Sequence, residues 1–286
     1  LCRLVRKYGI DVIAIGNGTA SRESEAFVAE VIRTHQLHAS FTLVSEAGAS
    51  VYSASPLAKE EFPHLQVEQR SAVSIARRII DPLAELIKID PQSLGVGQYQ
   101  HDLSQTRLKE RLDFAVSKVV NRVGVDINTA SAQLLRHVSG LNAVSARNIV
   151  AYREENGRFR TRKELLKVAK LGPKAYEQCA GFLRIPGGEN LLDNTGVHPE
   201  SYEAAEKLLK SLGYSEEDVK AGNLKDLGRK IRDYKKTAEM LGISEPTLRD
   251  IVKELEKPGR DPRDEMPRPI LRSDVMDMKD LKPGMI

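Results

Sequence analysis

The spacing of apolar residues changes along the chain, and each change predicts a different kind of element. Two short apolar runs, residues 12–15 and 41–44, each end at a turn, and a stretch with helical spacing separates them. Continuous apolar strands that alternate with helices are typical of a parallel sheet covered by helices. We therefore predict the strand–helix–strand part of an α/β domain, with further strands of the same sheet upstream of Leu1.

From residue 71 onward, apolar residues recur at helical steps. The spacing predicts a helix from residue 71 that breaks at Asp90-Pro91, and a long amphipathic helix from residue 104 to about residue 123. Further helices are expected over 201–212, 224–241 and 245–256, and the stretch 257–269, rich in Pro, Arg and Asp, is expected to be a linker. The predicted fold class is mostly α with a partial α/β portion at the start.

Two short turns stand out because each lies between an apolar stretch and a new helix. The first reads Val-Ser-Gly-Leu-Asn-Ala-Val-Ser-Ala over residues 138–146, and the second reads Val-Ala-Lys-Leu-Gly-Pro-Lys-Ala over residues 168–175. A helix start offers free backbone N–H groups and the positive end of the helix dipole, which suits a phosphate oxygen. Together the turns predict a clamp on a nucleic-acid backbone, with amides of residues 140–145 and 172–175 as donors.

The charge distribution agrees with this prediction. Residues 126–185 contain 11 Lys or Arg and 5 Asp or Glu, a net charge of +6, whereas the whole chain carries +4 and the remainder therefore −2. An ordinary solvated face is the alternative for such a charge excess. The residues predicted to contact nucleic acid are Gly140, Asn142, Ala143, Ser145, Arg147, Lys170, Gly172, Pro173, Lys174, Arg136, Arg158, Arg160, Arg162 and Lys163. Aromatic residues make up only 5% of the chain, so we expect binding to favour the backbone over base sequence.

Composition excludes several other classes. The two cysteines, Cys2 and Cys179, have no metal-ligand spacing, and the six histidines are dispersed, so we expect no metal and no cofactor. No run of about 18 apolar residues occurs, and the first residues do not resemble a signal peptide. We expect no membrane partner and a reducing, cytoplasmic compartment.

Three stretches of sequence resemble the bacterial Tex proteins, transcription accessory factors related to a eukaryotic transcription elongation factor. They are Gly-Asn-Gly-Thr-Ala-Ser-Arg at 16–22, Gly-Val-Gly-Gln-Tyr-Gln-His-Asp at 95–102 and Val-Gly-Val-Asp-Ile-Asn-Thr-Ala-Ser at 123–131, and the likeness runs over essentially the whole chain. The paired turns resemble a double helix-hairpin-helix module, in which each hairpin usually carries two glycines around an apolar residue. Here Gly140 is paired with Asn142, which we expect to tolerate left-handed backbone, and Gly172 is paired with Lys170.

The resemblance implies a domain organisation. It places the C-terminal part of a YqgF-type domain with an RNase H-like fold at residues 1–90, a helical segment with the double hairpin module at 91–190, and a helical domain at 191–257. It further implies that residues 258–286 form a linker and the start of an oligonucleotide-binding barrel that is absent from this chain. Tex proteins are regarded as nucleic-acid-binding factors, RNA included, so the implied partners are RNA, DNA, and RNA polymerase or its associated machinery in the bacterial cytoplasm.

Two other functions stay open at this point. RNase H-like nucleases hold two metal ions with clustered carboxylates, and Glu46 after the second strand or Asp81 on a helix could belong to such a cluster. The first-strand aspartate that such sites need is not in this chain, so we expect no catalytic residue and no enzymatic activity. In the other alternative, the helical region is a scaffold for the transcription apparatus, and one or both hairpins contact protein.

Overall fold

The computed structural model describes residues 1–256 and 270–273. These residues form two compact units, one containing residues 1–102 and 270–273 and the other containing residues 103–256. The predicted linker at 257–269 and the predicted start of a barrel at 280–286 lie outside the described residues. Within the described part of the chain, no helix has both the length and the apolar character needed to cross a bilayer.

The first unit contains the predicted strand–helix–strand arrangement. Its strands are β1 (Val12–Gly16) and β2 (Ser40–Val44), and its helices are α1 (Cys2–Tyr8), α2 (Ser21–Thr34), α3 (Ala49–Ala54), α4 (Pro56–Glu61), α5 (Val67–Ile80) and α6 (Pro82–Leu86). The two strands are parallel, with Val12 opposite Ser40 and Gly16 opposite Val44. Phe41 of β2 is fully buried, and its backbone also pairs in an antiparallel bridge with Arg272. The partial α/β prediction is confirmed.

The helix predicted to continue to Asp90-Pro91 instead ends at Ile80. The Asp81 carboxylate accepts a hydrogen bond from the backbone N–H of Ala84 at 2.9 Å and begins α6, whose first residue is Pro82. Proline has no N–H to donate, and it disfavours helical backbone at the residue before it. The prediction failed because the apolar spacing continues through the break.

The second unit is helical. Its helices are α7 (Gln105–Val123), α8 (Ala132–Leu135), α9 (Ala143–Asn156), α10 (Pro173–Cys179), α11 (Tyr202–Ser211), α12 (Glu216–Lys220), α13 (Leu227–Lys230), α14 (Tyr234–Leu241) and α15 (Glu245–Leu255), with short 3₁₀ turns that include 162–167, 180–182 and 191–194. Two short parallel strands, β3 (Val125–Asp126) and β4 (Leu183–Arg184), join the beginning and the end of the hairpin region. The long helix predicted from residue 104 is confirmed as α7.

The single helix predicted over 224–241 is wrong, because α13 and α14 are separate elements. Leu224, Leu227 and Ile231 are buried in the core formed with α11 and α15. The Asp233 side chain then accepts a hydrogen bond from the backbone N–H of Lys236 at 3.0 Å and begins α14. An aspartate that caps a helix start interrupts the preceding helix even where the apolar spacing is maintained.

Candidate nucleic-acid interface

The two predicted turns have the same backbone arrangement, 30 residues apart. The N–H of Leu141 donates to the Val138 carbonyl at 3.0 Å, and the N–H of Leu171 donates to the Val168 carbonyl at 3.2 Å. The preceding residue is left-handed in both turns, with φ of 81° at Gly140 and 63° at Lys170. The turns are therefore structural repeats despite their different residues.

Asn142 and Gly172 occupy the helix-capping position of each turn, and their backbones are extended. Their φ and ψ angles are −132° and 177° for Asn142, and −79° and 172° for Gly172. The expectation that Asn142 replaces a left-handed glycine is therefore wrong. Its role is that of a side-chain cap, for which asparagine is among the best residues.

Gly140 is required by close packing as well as by its left-handed backbone. A Cβ at this position would lie 2.6 Å from Cβ of Gln178 and 3.0 Å from the carbonyl oxygen of Ala175, both on α10. A Cβ at Gly172, in contrast, would meet nothing within 4 Å. The first turn is thus packed against the helix that follows the second turn, whereas the backbone around Gly172 faces open space.

Most of the amides in the first turn already have acceptors. The Asn142 side chain accepts from the N–H groups of Val144 and Ser145 at 2.9 and 3.0 Å, and the Ser145 hydroxyl accepts from the Asn142 N–H at 2.9 Å. Only the N–H groups of Gly140 and Ala143 are left without an acceptor among the described residues. The prediction that amides of residues 140–145 all receive phosphate is therefore wrong for Leu141, Asn142, Val144 and Ser145, and Ser145 is also buried.

The second turn keeps more donors available. Gly172 has no side chain to cap α10, and Pro173 has no N–H. In the part of the chain that the structure describes, the N–H groups of Gly172, Lys174 and Ala175 have no acceptor. Three donors therefore remain at the start of α10, beside two exposed lysines, Lys170 and Lys174.

Two asparagines outside the predicted set of contact residues hold the turns in place. Asn121 of α7 accepts from the Ser139 N–H at 2.9 Å and donates to the His137 carbonyl at 3.1 Å. Asn148 of α9 donates to the Ala169 carbonyl at 2.6 Å. Because both contacts span many residues, only the three-dimensional arrangement reveals them.

The predicted cationic residues are exposed with one exception. The exposed members of the predicted set are Arg136, Gly140, Asn142, Ala143, Arg147, Arg158, Arg160, Lys163, Lys170, Gly172, Pro173 and Lys174. Among the cations in this set and within the described residues, only Arg160 has an ion-pair partner, Glu189 at 3.8 Å. The other exposed cations present their charge to solvent, as phosphate neutralisation requires.

Arg162 is the exception, and its prediction is wrong. Its side chain is 1% exposed and donates to the carbonyls of Leu183, Val197 and Thr195 at 2.8, 2.8 and 2.5 Å, and to the Tyr202 hydroxyl at 2.6 Å. A buried guanidinium is stable only when its donors are satisfied in this way. Arg162 therefore joins the hairpin module to the helical domain and is not available to a phosphate.

The segment between the hairpins presents Arg158 and Arg160 from a fixed loop. Phe159 is buried and stacks on Tyr152 with 5.1 Å between ring centroids, and its backbone exchanges hydrogen bonds of 2.8 and 3.0 Å with the Asn128 side chain. An open groove of about 450 Å³ runs between this loop and residues 186–189. The two arginines are thus held beside a concave surface.

His137 supports Arg136 at the edge of the first turn. The Arg136 Nε donates to His137 Nε2 at 3.3 Å, and Ser117 Oγ lies 3.3 Å from His137 Nδ1. Burial, and then the neighbouring Arg136 charge, lower the pKa of His137 below its ordinary value. The imidazole is therefore neutral at pH 7 and accepts the arginine's hydrogen bond.

The two carboxylates considered for nuclease chemistry have other surroundings. Glu46 follows β2, and its side chain covers the turn after β1, where a Cβ at Gly16 or Gly18 would meet its carboxylate. Asp81 caps α6. Within residues 1–256 and 270–273, no three His, Cys, Asp or Glu side chains are grouped as a metal site would need.

This architecture defines a helix-hairpin-helix protein with a partial α/β domain. The chain matches the Tex protein YqgF-like domain at residues 1–80, the helix-hairpin-helix motif at 120–184 and the HHH domain at 190–263. It is 56% identical to the uncharacterized protein YdcI of Bacillus subtilis, 53% identical to the transcriptional accessory protein Tex of Neisseria gonorrhoeae and 39% identical to the human S1 RNA-binding domain-containing protein 1. These matches cover 99–100% of this chain but only 39%, 37% and 34% of the respective relatives. The chain belongs to the Tex family and spans between a third and two fifths of the length of these relatives.

Proposed function

We propose that this chain binds the sugar–phosphate backbone of RNA or DNA with little regard to sequence, as part of a transcription accessory factor. The three uncapped N–H groups at Gly172, Lys174 and Ala175 carry the proposal, because they lie beside exposed lysines at an open turn. Backbone amides and lysines can position a phosphate, but they read no base edges. The names of the relatives, one a transcriptional accessory protein and one an S1 RNA-binding domain-containing protein, support the same partner class.

The two hairpins have unequal parts in this proposal. The first turn is packed on α10 and uses Asn142 to satisfy its own amides, so it serves mainly to support the second. The second turn supplies most of the open donors. Arg136, Arg147, Arg158, Arg160 and Lys163 add attraction from exposed positions.

The proposal is tested by titrating labelled single-stranded RNA, single-stranded DNA and duplex DNA with the whole chain at several salt concentrations. The variant Lys170→Gln with Lys174→Gln removes two charges at the second turn. If each lysine neutralises one phosphate, the slope of log affinity against log salt should decrease by about 1.8 for a duplex and by about 1.4 for a single strand. Measurements between about 50 and 200 mM salt cover the range in which such contacts dominate.

A matched variant separates a local contact from a change in net charge. Arg33→Gln with Lys59→Gln also removes two charges, but from exposed positions in the first unit. We expect this variant to keep the wild-type slope. Affinity that does not depend on salt, or an equal effect of the two variants, would count against the hairpin as the binding site.

We further propose that the chain has no nuclease activity and works together with the transcription machinery in the bacterial cytoplasm. Asp81 supports the first part, because its carboxylate serves as a helix cap. Incubation of the chain with labelled RNA or DNA and magnesium or manganese should leave the substrate intact, whereas cleavage that is lost in Glu46→Gln would refute it. A pull-down with RNA polymerase before and after nuclease treatment tests whether that contact runs through nucleic acid or directly through protein.

A further inference from the structure

A second group of exposed cations lies in the helical domain, outside the paired hairpins. Residues 225–236 contain six Lys or Arg and two Asp, a net charge of +4. The cations are Lys225, Arg229, Lys230, Arg232, Lys235 and Lys236, all exposed, and together they are called the C-terminal cationic patch. The residues outside 126–185 carry a net charge of −2 in total, so this local excess of positive charge is not visible in the overall count.

The patch is held on a buried framework. Leu224 and Leu227 are fully buried, Ile231 is 7% exposed, and these three residues alternate with the cations along the chain. The Gly228 N–H donates to the Glu256 carboxylate at 2.9 Å, and the Tyr234 hydroxyl donates to the Gly228 carbonyl at 3.3 Å. The backbone that carries the cations is therefore already ordered, so a ligand would not have to order a flexible tail.

The two acidic residues of the patch do not neutralise it. Asp226 pairs with Arg229 at 3.0 Å, and Asp233 is used as the cap of α14. Among the described residues, Lys225, Arg232, Lys235 and Lys236 have no ion-pair partner. Cations that are close in sequence and exposed raise the local positive potential, and a polyanion that binds them releases its own counterions.

The surroundings of the patch favour a phosphate backbone over a protein surface. The Tyr234 ring is covered by the Arg249 guanidinium at 4.3 Å, the Tyr214 ring is covered by the Lys230 ammonium at 3.9 Å, and no large apolar side chain of residues 225–236 is exposed. Protein interfaces depend on apolar and aromatic anchors near their centre. We propose that the C-terminal cationic patch is a second contact surface for the nucleic-acid backbone, separate from the hairpins. The choice of nucleic acid as the ligand rests on the proposed function, whereas the position of the patch in the helical domain does not.

The test uses the whole chain with Lys225→Gln, Lys235→Gln and Lys236→Gln combined. For three phosphate contacts, the salt slope should decrease by about 2.1 on single-stranded RNA and by about 2.7 on duplex DNA. A charge-preserving variant with arginine at the same three positions should keep the wild-type slope. A second control, Arg22→Gln with Arg33→Gln and Lys59→Gln, removes the same charge from exposed positions of the first unit and should also leave the slope unchanged.

The outcomes separate this proposal from the proposed function. A flatter slope for the patch variant, with the wild-type slope in both control variants, supports a second contact surface, whether or not Lys170→Gln with Lys174→Gln also flattens the slope. A wild-type slope for the patch variant, with a flatter slope for Lys170→Gln with Lys174→Gln, overturns the patch and leaves the hairpin proposal standing. In another outcome, the patch variant keeps the RNA affinity and salt slope of the wild type but no longer pulls down an acidic protein that the wild type captures from nuclease-treated extract. That result would make the patch a protein contact and would also overturn the proposal. Unchanged circular dichroism of each variant verifies that the fold is intact.

Discussion

The open amides at the second hairpin can be closed by a single substitution. Gly172→Asn places at the second turn the residue that caps the first, where Asn142 accepts from the N–H groups of the second and third helical residues. The backbone at Gly172 is already extended and a Cβ meets nothing within 4 Å, so the substitution should fit without strain. The new side chain should accept from the N–H groups of Lys174 and Ala175.

The expected effects on stability and on binding have opposite signs. Asparagine in place of glycine at a helix cap should stabilise the fold by a few tenths of a kcal/mol. Each hydrogen bond to a charged group contributes at least about 1.5 kcal/mol, so the loss of two phosphate bonds should weaken binding by about 3 kcal/mol, or roughly 150-fold. Because no charge is removed, the salt slope should change little.

Fluorescence anisotropy with labelled RNA and duplex DNA measures the affinity, and urea unfolding measures the stability. Gly172→Ala is the matched control, since it adds a Cβ but no hydrogen-bond acceptor, and it should bind within a few-fold of the wild type. Wild-type affinity of a folded Gly172→Asn chain would refute the idea that these amides receive phosphate. Equal losses in the asparagine and alanine variants would point to steric exclusion instead.

Four further predictions concern stability and can be measured by urea or thermal unfolding. Gly140→Ala should destabilise the chain by about 2–4 kcal/mol, because the new Cβ would sit on a left-handed backbone and contact α10. A loss of stability under about 1 kcal/mol would contradict that packing. Lys170→Gly should instead stabilise the chain by about 1 kcal/mol, because it relieves a left-handed residue. Arg162→Met should cost about 3 kcal/mol or more, because buried carbonyls lose their donors; a neutral effect would exclude its structural role. The pKa of His137 is lower in the folded chain than in the unfolded chain. As the pH decreases, the unfolded chain therefore binds the proton first, so stability should fall below about pH 6.5. His137→Gln should flatten this dependence, and an unchanged pH profile would argue against it.

Apolar spacing predicted the elements whose burial follows from local sequence. The parallel strands at the start and the long helix α7 were found in this way, because a continuous apolar run or a helical stripe reflects the face that is buried. The same spacing failed at Asp81 and Asp233, where a side chain caps a new helix and the backbone changes direction while the apolar pattern continues. Capping by aspartate is a local signal, and it should have outweighed periodicity at both positions.

The two turns and their exposed helix starts were predictable from the sequence, but the contacts that hold them were not. Glycine, lysine and proline in the turns indicated exposed helix starts, and the structure places most of those residues at the surface. The burial of Arg162 could not be anticipated, because its acceptors lie 21 to 40 residues away in sequence. The support from Asn121 and Asn148 could not be anticipated either. Long-range hydrogen bonds leave no periodic trace in a single sequence.

The unequal hairpins follow from which position of each turn carries the glycine. In the first turn the left-handed position packs against α10, where only glycine fits, and the capping position holds an asparagine that satisfies the amides itself. In the second turn the left-handed position holds Lys170, at a cost of about 1–2 kcal/mol relative to glycine, and the capping position is the glycine. A strained lysine beside uncapped amides stabilises neither the turn nor the helix. A phosphate ligand would make use of both features, because the lysine supplies charge and the amides supply donors.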